Sequence, residues 1–513
     1  MGTTTGYKHK NRGQVETSAY SCDLGDMRAI LLLTLLHQCM GLSHEGLLEG
    51  KCFTPPVDYD QLIDHAHTHP SASPRVSRRS VDAERMAIHV EYHQSVLEST
   101  YNETIQRITT ETLNRIANLL QVKGERADIA VDWACPQGTA KIENGTRYCI
   151  HECARPYCLI ELPESHLEKC YTCEVENGTG RLYDCRGPQA NDTTSYGVQD
   201  VHYVLHVAAL SDSCVGGILA FASPCYLRSG DYRPLIGFIN MCPRWIDIFA
   251  QFDEEIFDII IQHEIFHALG FSPALYAFFR DENGDPRTPV NETTGLPEIN
   301  YELGVYQWSD TVIKEVTLDW DVRDGVFNRT VRLFVTPNLV REAREHFGCP
   351  TLEGVEIEDN MGQTGGTGLA HFEQRIMGGE SMTGFISFLR IFSRFSLAFF
   401  EDTGWYSANY DQADPFNYGK NLGCDFVTKS CKWWMDTKRS RGDSIEPFCD
   451  QINAPQCDAE RGFSGRCNLM RFDQPLPSLY QYFDSLTDVN ETEIAYYGGQ
   501  YGTADHCPYV TVS

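Results

Sequence analysis

The chain has 513 residues, of which 42% are hydrophobic and 22% are charged. This composition is typical of a folded globular protein, and the length predicts about two to four domains. The formal net charge of −29 gives a surface that repels phosphate backbones, which argues against nucleic acid as a partner.

An apolar run at residues 29–36 is the first predicted element. The run is too short to cross a bilayer and is typical of the hydrophobic part of a signal peptide. Because 26 residues precede Met27, the alternatives are a start at Met27, an uncleaved anchor or a buried helix. We predict that residues 1–42 are a leader carrying a signal peptide or anchor for the secretory pathway.

Residues 43–79 come next and end in the basic sequence RVSRR at 75–79. A basic cluster at the end of a polar, exposed stretch is accessible to a processing protease. We predict a pro-segment over 43–79, with an ordinary basic linker as the alternative.

Twenty cysteines are dispersed along the chain, and seventeen of them lie between Cys135 and Cys507. Such usage predicts an oxidising compartment and a disulfide framework. Because seventeen is odd, one is expected to be free or to pair beyond Ser513, and we predict that the C-terminal region is truncated. Sequons agree with a secreted or cell-surface glycoprotein, and they begin at Asn102, Asn144, Asn177, Asn191, Asn291, Asn328 and Asn490.

The apolar pattern predicts secondary structure along the rest of the chain. The expected elements are an amphipathic helix over 104–122, strands over 203–210 and 235–240, a loop over 280–300 and an amphipathic helix over 385–400. Seven cysteines make residues 135–185 a disulfide-stapled excursion. Another helix is expected over 253–269, because acidic residues occupy its first turn and Gly270 can close it.

The helix predicted over 253–269 carries His263, Glu264 and His267. Residues four apart lie on one helix face, so the two imidazoles can share one ion, and zinc accepts imidazole nitrogen. Glu264 is placed beside the ion, where it can take a proton from a zinc-activated water. The alternative is an exposed helix with two incidental histidines.

Catalytic zinc usually has three protein ligands. The compact form of this motif has a third histidine ten residues after the first, but that position is Pro273. Glu282, His346 and His371 are the downstream candidates, and spacing alone does not choose among them.

Beyond the motif, the sequence resembles the leishmanolysin and invadolysin family of zinc metallopeptidases from about residue 85 to 510. The stretches that carry the resemblance are HEIFHALGFS (263–272), AREHFGC (343–349), LEGVEIED (352–359), AHFE (370–373), ESM (380–382), FEDTGWY (400–406), GKNLGC (419–424) and YQYF (480–483). The widely spaced third histidine and the following methionine distinguish this family from other zinc peptidases.

The resemblance implies one Zn²⁺ per chain, bound by His263, His267 and His371, with Glu264 catalytic. Met382 would form the Met-turn, a hydrophobic floor under the site, and Met377 is a nearby rival. The implied function is a zinc metalloendopeptidase that hydrolyses proteins or peptides. The family also implies a cell-adhesion role and association with a membrane surface.

Family pro-segments are implied to hold the zinc with a cysteine until cleavage. Cys52 is favoured here over Cys39, although neither matches the family's pro-segment motif cleanly. The excursion at 135–185 is richer in cysteine than the family pattern. The glycine-rich stretch at 362–368 is expected to be a flexible approach to His371.

The predicted fold is α+β, with a zincin- or metzincin-like catalytic domain that contains a twisted sheet and the active-site helix. The predicted divisions are an N-terminal catalytic subdomain at 80–270, a central subdomain at 271–408 and a Cys-rich C-terminal domain at 409–513. The strand at 235–240 is expected to be a sheet edge that pairs with an extended peptide. The rival function is a non-catalytic surface adhesion glycoprotein on a peptidase fold.

Overall fold

The computed structural model describes residues 65–70, 84–136, 140–143, 146–176, 179–187, 197–212, 214, 217–359, 368–385, 391–457 and 464–512. The predicted leader, Cys39, Cys52 and most of the glycine-rich stretch at 362–368 lie outside these residues.

The described residues contain both helices and strands, with a long run of strands between residues 120 and 241, which confirms a mixed α and β fold. The α-helices are α1 (Gln94–Leu97), α2 (Asn102–Leu119), α3 (Pro243–Phe252), α4 (Glu254–Leu269), α5 (Pro337–Phe347), α6 (Gln374–Met377), α7 (Arg394–Asp402), α8 (Cys424–Thr428) and α9 (Cys431–Arg441). The β-strands are β1 (His65–Pro70), β2 (Glu84–Arg85), β3 (Ile88–Tyr92), β4 (Leu120–Val122), β5 (Ala127–Val131), β6 (Ala140–Glu143), β7 (Thr146–Ile150), β8 (Tyr157–Cys158), β9 (Ile160–Glu161), β10 (Thr172–Val175), β11 (Leu182–Arg186), β12 (Val198–Val201), β13 (Tyr203–Ala208), β14 (Ala220–Arg228), β15 (Pro234–Met241), β16 (Ile299–Asn300), β17 (Val305–Tyr306), β18 (Ile313–Val322), β19 (Gly325–Phe334), β20 (Val355–Glu356), β21 (Tyr406–Ala408), β22 (Pro455–Cys457), β23 (Ser464–Cys467), β24 (Leu469–Arg471), β25 (Tyr497–Gly499) and β26 (Val510–Val512). In these parts of the chain no helix combines the length and the apolar composition needed to cross a bilayer.

The largest sheet has seven strands in the order β12-β5-β1-β14-β15-β13-β3. It is mixed, since β13 runs parallel to β3 and β15 while β14 and β15 are antiparallel. Strand β1 belongs to the predicted pro-segment and lies between β5 and β14. Strand β15 has neighbours on both sides, so the prediction that 235–240 is a sheet edge is wrong. A continuous apolar run indicates burial on both faces of a strand but does not identify its neighbours.

Helix α4 packs on this sheet and is fixed at both ends. The Asp253 side chain caps it by accepting a hydrogen bond from the Ile256 N–H at 3.1 Å. Gly270 ends it at a φ of +145°, a conformation that side chains rarely adopt. The Tyr203 hydroxyl of β13 donates to the Ala268 carbonyl at 2.8 Å, which anchors the last turn to the sheet. The helix predicted from this sequence is therefore confirmed.

Two other predicted helices are shorter than expected. Helix α2 stops at Leu119, and the last three residues of the predicted 104–122 form β4, which pairs with β2 and β21. The helix predicted over 385–400 begins later than expected, because α7 spans Arg394–Asp402 with Ser393 as its N-cap. In the first case both pairing partners are distant in sequence, and β21 lies almost three hundred residues away, so the local apolar pattern could not reveal the strand.

Eight disulfide bridges join sixteen of the seventeen cysteines that begin at Cys135. They are Cys135–Cys149, Cys153–Cys170, Cys158–Cys225, Cys173–Cys185, Cys214–Cys242, Cys349–Cys424, Cys431–Cys507 and Cys449–Cys467. The seventeenth, Cys457, is also disulfide-bonded, so the prediction that one of these cysteines is free or pairs beyond Ser513 is wrong. Three bridges lie within the excursion at 135–185, and Cys158–Cys225 ties this excursion to β14.

Polar side chains connect α2 to α4 just before the first motif histidine. Arg115 donates to both Asp258 carboxylate oxygens at 2.7 and 2.9 Å and to the Gln262 amide oxygen at 3.0 Å. Thr112 donates to the same Asp258 carboxylate. Since Gln262 directly precedes His263, these bonds fix the rotation of α4 about its own axis at the motif.

Arg115→Ala is expected to lower the free energy of unfolding by about 1–3 kcal/mol, because charge-assisted bonds to a mostly buried carboxylate are lost. Arg107→Ala is the matched control. Arg107 also joins α2 to α4, through Glu254 at 2.7 Å, but the two side chains are 46% and 51% exposed. The control should lose only about 0–1 kcal/mol. Urea denaturation with the disulfides intact measures both, and equal losses would contradict the role given to Arg115.

Candidate metal centre

Three imidazoles from two distant parts of the chain meet in the interior. His263 and His267 lie one turn apart on α4, and His371 lies shortly before α6. The Nε2 atoms of His263 and His267 are 2.9 Å apart, and the His371 Nε2 lies 3.2 Å from the second and 3.3 Å from the first. All three side chains are almost completely buried. The structure therefore brings together the three histidines that the resemblance implied.

Backbone carbonyl groups orient two of these rings. The His263 Nδ1 lies 2.5 Å from the Ser381 carbonyl oxygen, and the His267 Nδ1 lies 2.7 Å from that of Phe271. A neutral imidazole that donates from Nδ1 leaves the Nε2 lone pair for a metal. Burial lowers the pKa of His267 to about 4 and the pKa of His263 well below its ordinary value. Both rings are therefore neutral at physiological pH.

The spacing of the three Nε2 atoms fits a transition metal such as zinc. Imidazole nitrogen binds zinc at ~2.0–2.1 Å, and two such ligands of a tetrahedral ion lie ~3.3 Å apart. The separations of 2.9, 3.2 and 3.3 Å are close to this value. Three imidazole ligands also leave a fourth tetrahedral position for a reactant, the arrangement that catalytic zinc sites use.

Hydrogen bonds fix the segment that carries His371. Its carbonyl accepts from the Glu358 N–H at 3.0 Å, and the N–H of the next residue donates to the Met382 carbonyl at 2.9 Å. On the other side, the Tyr276 hydroxyl donates to the Leu369 carbonyl at 2.8 Å. Since Tyr276 follows α4 closely in the chain, this bond connects the two histidine-bearing segments directly.

The turn that contains Met382 lies against His263. Met382 is fully buried, and its N–H donates to the Glu380 carboxylate at 2.5 Å. The same carboxylate accepts from the Ser396 hydroxyl at 2.6 Å, and burial raises the pKa of Glu380 to about 6. These bonds position the Ser381 carbonyl that accepts from His263.

Glu264 is fully buried and follows His263 on α4. It therefore shares one rigid helix with two of the three imidazoles, and its position relative to them is set by helix geometry rather than by a loop. A carboxylate so placed is chemically able to accept a proton beside the metal centre.

The other residues considered from the sequence lie elsewhere. Glu282 is exposed in a polar turn, whereas the imidazole cluster is buried. His346 lies on α5, where its Nε2 is 2.8 Å from the Tyr418 carbonyl oxygen and burial lowers its pKa to about 4. Met377 is a fully buried core residue at the end of α6.

Sequence reasoning missed the side chains that support the centre. Tyr276 and Glu380 belong to no local pattern that differs from an ordinary core tyrosine or a polar turn. The two carbonyl groups that orient the rings leave no trace in a sequence at all, because every residue has one. Only the proximity of Glu380 to the predicted Met-turn could have drawn attention to it.

The chain is similar in sequence to known proteins over most of its length. The family model described as Leishmanolysin matches residues 184–513. The chain is 39% identical over 460 residues to the leishmanolysin-like peptidase of Drosophila pseudoobscura pseudoobscura, covering 87% of this chain and 66% of that protein. It is 34% identical over 483 residues to the leishmanolysin-like peptidase of Caenorhabditis elegans, covering 89% and 69%.

A more distant relative is the leishmanolysin of Leishmania major, which is 26% identical over 473 residues, or 87% of this chain and 63% of that protein. The chain thus spans about two thirds of the length of the curated relatives that it matches. Together with the family model, these similarities confirm the predicted resemblance: the chain belongs to the leishmanolysin family.

Proposed function

We propose that this protein is a zinc-dependent metalloendopeptidase. The single observation that carries the proposal is the buried set of three Nε2 atoms, 2.9–3.3 Å apart, on the same helix as a buried glutamate. Membership of a family whose animal relatives are named peptidases supports it. A metzincin-like catalytic domain, with Met382 as its Met-turn, belongs to the same proposal, and so do the domain divisions at 80–270, 271–408 and 409–513.

In this proposal His263, His267 and His371 hold one Zn²⁺ per chain through their Nε2 atoms. Bound zinc supplies a Lewis acid that acidifies a water and polarises the scissile carbonyl group. The Glu264 carboxylate accepts the proton of the attacking water and then donates it to the nitrogen of the leaving amine. Burial of the centre excludes bulk water and strengthens each of these electrostatic interactions.

Proteins or peptides are the proposed substrates, and the secretory pathway is the proposed route to the cell surface or the medium. The disulfide bridges support an oxidising compartment. Glycosylation, a zymogen pro-segment with Cys52 as zinc ligand, membrane-surface association and a cell-adhesion role remain proposals from the sequence. A non-catalytic adhesion glycoprotein is the second candidate function, and the first experiment below separates the two.

Glu264→Gln is expected to reduce peptide hydrolysis by about 10²–10⁴-fold, because the amide cannot accept the proton from water. Zinc content should equal that of the unaltered protein, since Glu264 is not a proposed ligand. The matched control is Glu255→Gln, which changes an exposed glutamate on the same helix and should leave the rate unchanged. A fluorogenic peptide assay with elemental analysis measures both quantities. Full activity of Glu264→Gln would refute the proposed mechanism.

His371→Ala is expected to reduce the bound zinc by one equivalent and to abolish hydrolysis, because two imidazoles alone bind zinc weakly. Glu282→Ala tests the rejected third ligand and should retain both zinc and activity. His346→Ala should lower the melting temperature without changing the zinc content, since its ring contacts Tyr418 and not the centre. Zinc loss in Glu282→Ala with retention in His371→Ala would reverse the assignment.

A further inference from the structure

A second histidine cluster lies on the large sheet, on the face opposite α4. His89 and Glu91 are two residues apart on the edge strand β3, and His206 of β13 pairs in register with Glu91. His166 approaches from a short 3-10 turn in the disulfide-stapled excursion. Since Tyr203 points to α4, alternation along β13 places His206 on the other face.

The polar atoms of this cluster are spaced like ligands of one ion. The Glu91 Oε2 lies 3.5 Å from the His89 Nε2 and 3.7 Å from the His166 Nε2. These distances are long for hydrogen bonds, but they are close to the ~3.3 Å between two ligands of a tetrahedral zinc ion. One ligand atom from each of the three residues lies within 4.8 Å of the others.

Buried nitrogen atoms at the back of the cluster need a polar partner. His206 is fully buried, and neither of its ring nitrogens has a hydrogen-bond partner among the described residues. His166 is 3% exposed, and its Nδ1 also has no hydrogen-bond partner among the described residues. The two rings lie 5.3 Å apart. Buried polar atoms are almost always satisfied, so the unpartnered ring nitrogens of His206 indicate a polar ligand in the space beside the cluster.

The cluster is open to solvent on one side. His89 and Glu91 have side chains 40% and 37% exposed, which leaves an open path from solvent.

We propose that His89, Glu91 and His166 bind a second divalent transition-metal ion of the zinc class, with the ring of His206 next to them on the buried side. The set of two imidazoles and one carboxylate is a recognised zinc donor set. Such an ion would join the edge strand β3 to the stapled excursion. Its ligands lie far in sequence from the three histidines of the α4 centre. The proposal does not depend on the proposed peptidase activity.

The first test measures zinc bound to the full, disulfide-intact chain by elemental analysis after dialysis against micromolar zinc. The unaltered protein should hold two equivalents, and His89→Gln with Glu91→Gln should hold one. Hydrolysis by this double variant should stay within about twofold of the unaltered rate, because the site is structural. The matched control is His151→Gln with Glu174→Gln, an exposed pair of the same excursion at 2.6 Å, and it should keep two equivalents.

The second test uses cobalt(II) as a spectroscopic probe and isolates the new site from the α4 centre. His371→Ala should still bind one cobalt equivalent with a visible tetrahedral absorption band, and adding His89→Gln and Glu91→Gln should remove that band. Circular dichroism confirms that each variant is folded. If folded His371→Ala binds no cobalt, or if the band survives the additional substitutions, the second site does not exist.

Discussion

The hydrogen bond between the His263 Nδ1 and the Ser381 carbonyl joins the two halves of the candidate centre. Its partners are 118 residues apart, one on α4 and the other in the turn that contains Met382. Because a carbonyl can only accept, the bond requires the proton on Nδ1 and so turns the Nε2 lone pair inward. A displacement of this turn would therefore change the tautomer or orientation of a ligand, and would not merely loosen the core.

The segment that carries His371 depends on a buried ionic network behind it. Arg375 of α6 donates to Glu356 of β20 at 2.5 Å, and Arg329 of β19 lies 3.3 Å from the same carboxylate. Asp505, close to the C-terminal end, pairs with both arginines. Breaking one partner of such a network leaves an uncompensated buried charge. The C-terminal region thus helps to position the third imidazole although it contributes no imidazole to the centre.

The parts of the structure that could be predicted are those written locally in the sequence. Helix α4 was predictable because its cap, its apolar run, its terminal glycine and its paired histidines all occur within twenty residues. His371 was not, because 104 residues separate it from His267 and several polar residues in between were equal candidates by spacing. Only resemblance to a family selected it. Two predictions failed for the same reason: the one that β15 is an edge strand, and the one that α2 continues to residue 122. Each outcome depends on strand pairing between distant segments.

The two histidine clusters illustrate this limit on opposite faces of one sheet. On the α4 side, helix periodicity brings two ligands together, so a five-residue motif is already informative. On the other side, strand alternation places only His89 and Glu91 together, and His-x-Glu is too common to indicate a metal. The remaining residues arrive from β13 and from the stapled excursion. Strand β3 is a sheet edge, and edges need cover. A metal bound here would fasten the excursion over that edge, a role that requires burial and geometry and that no local sequence pattern reveals.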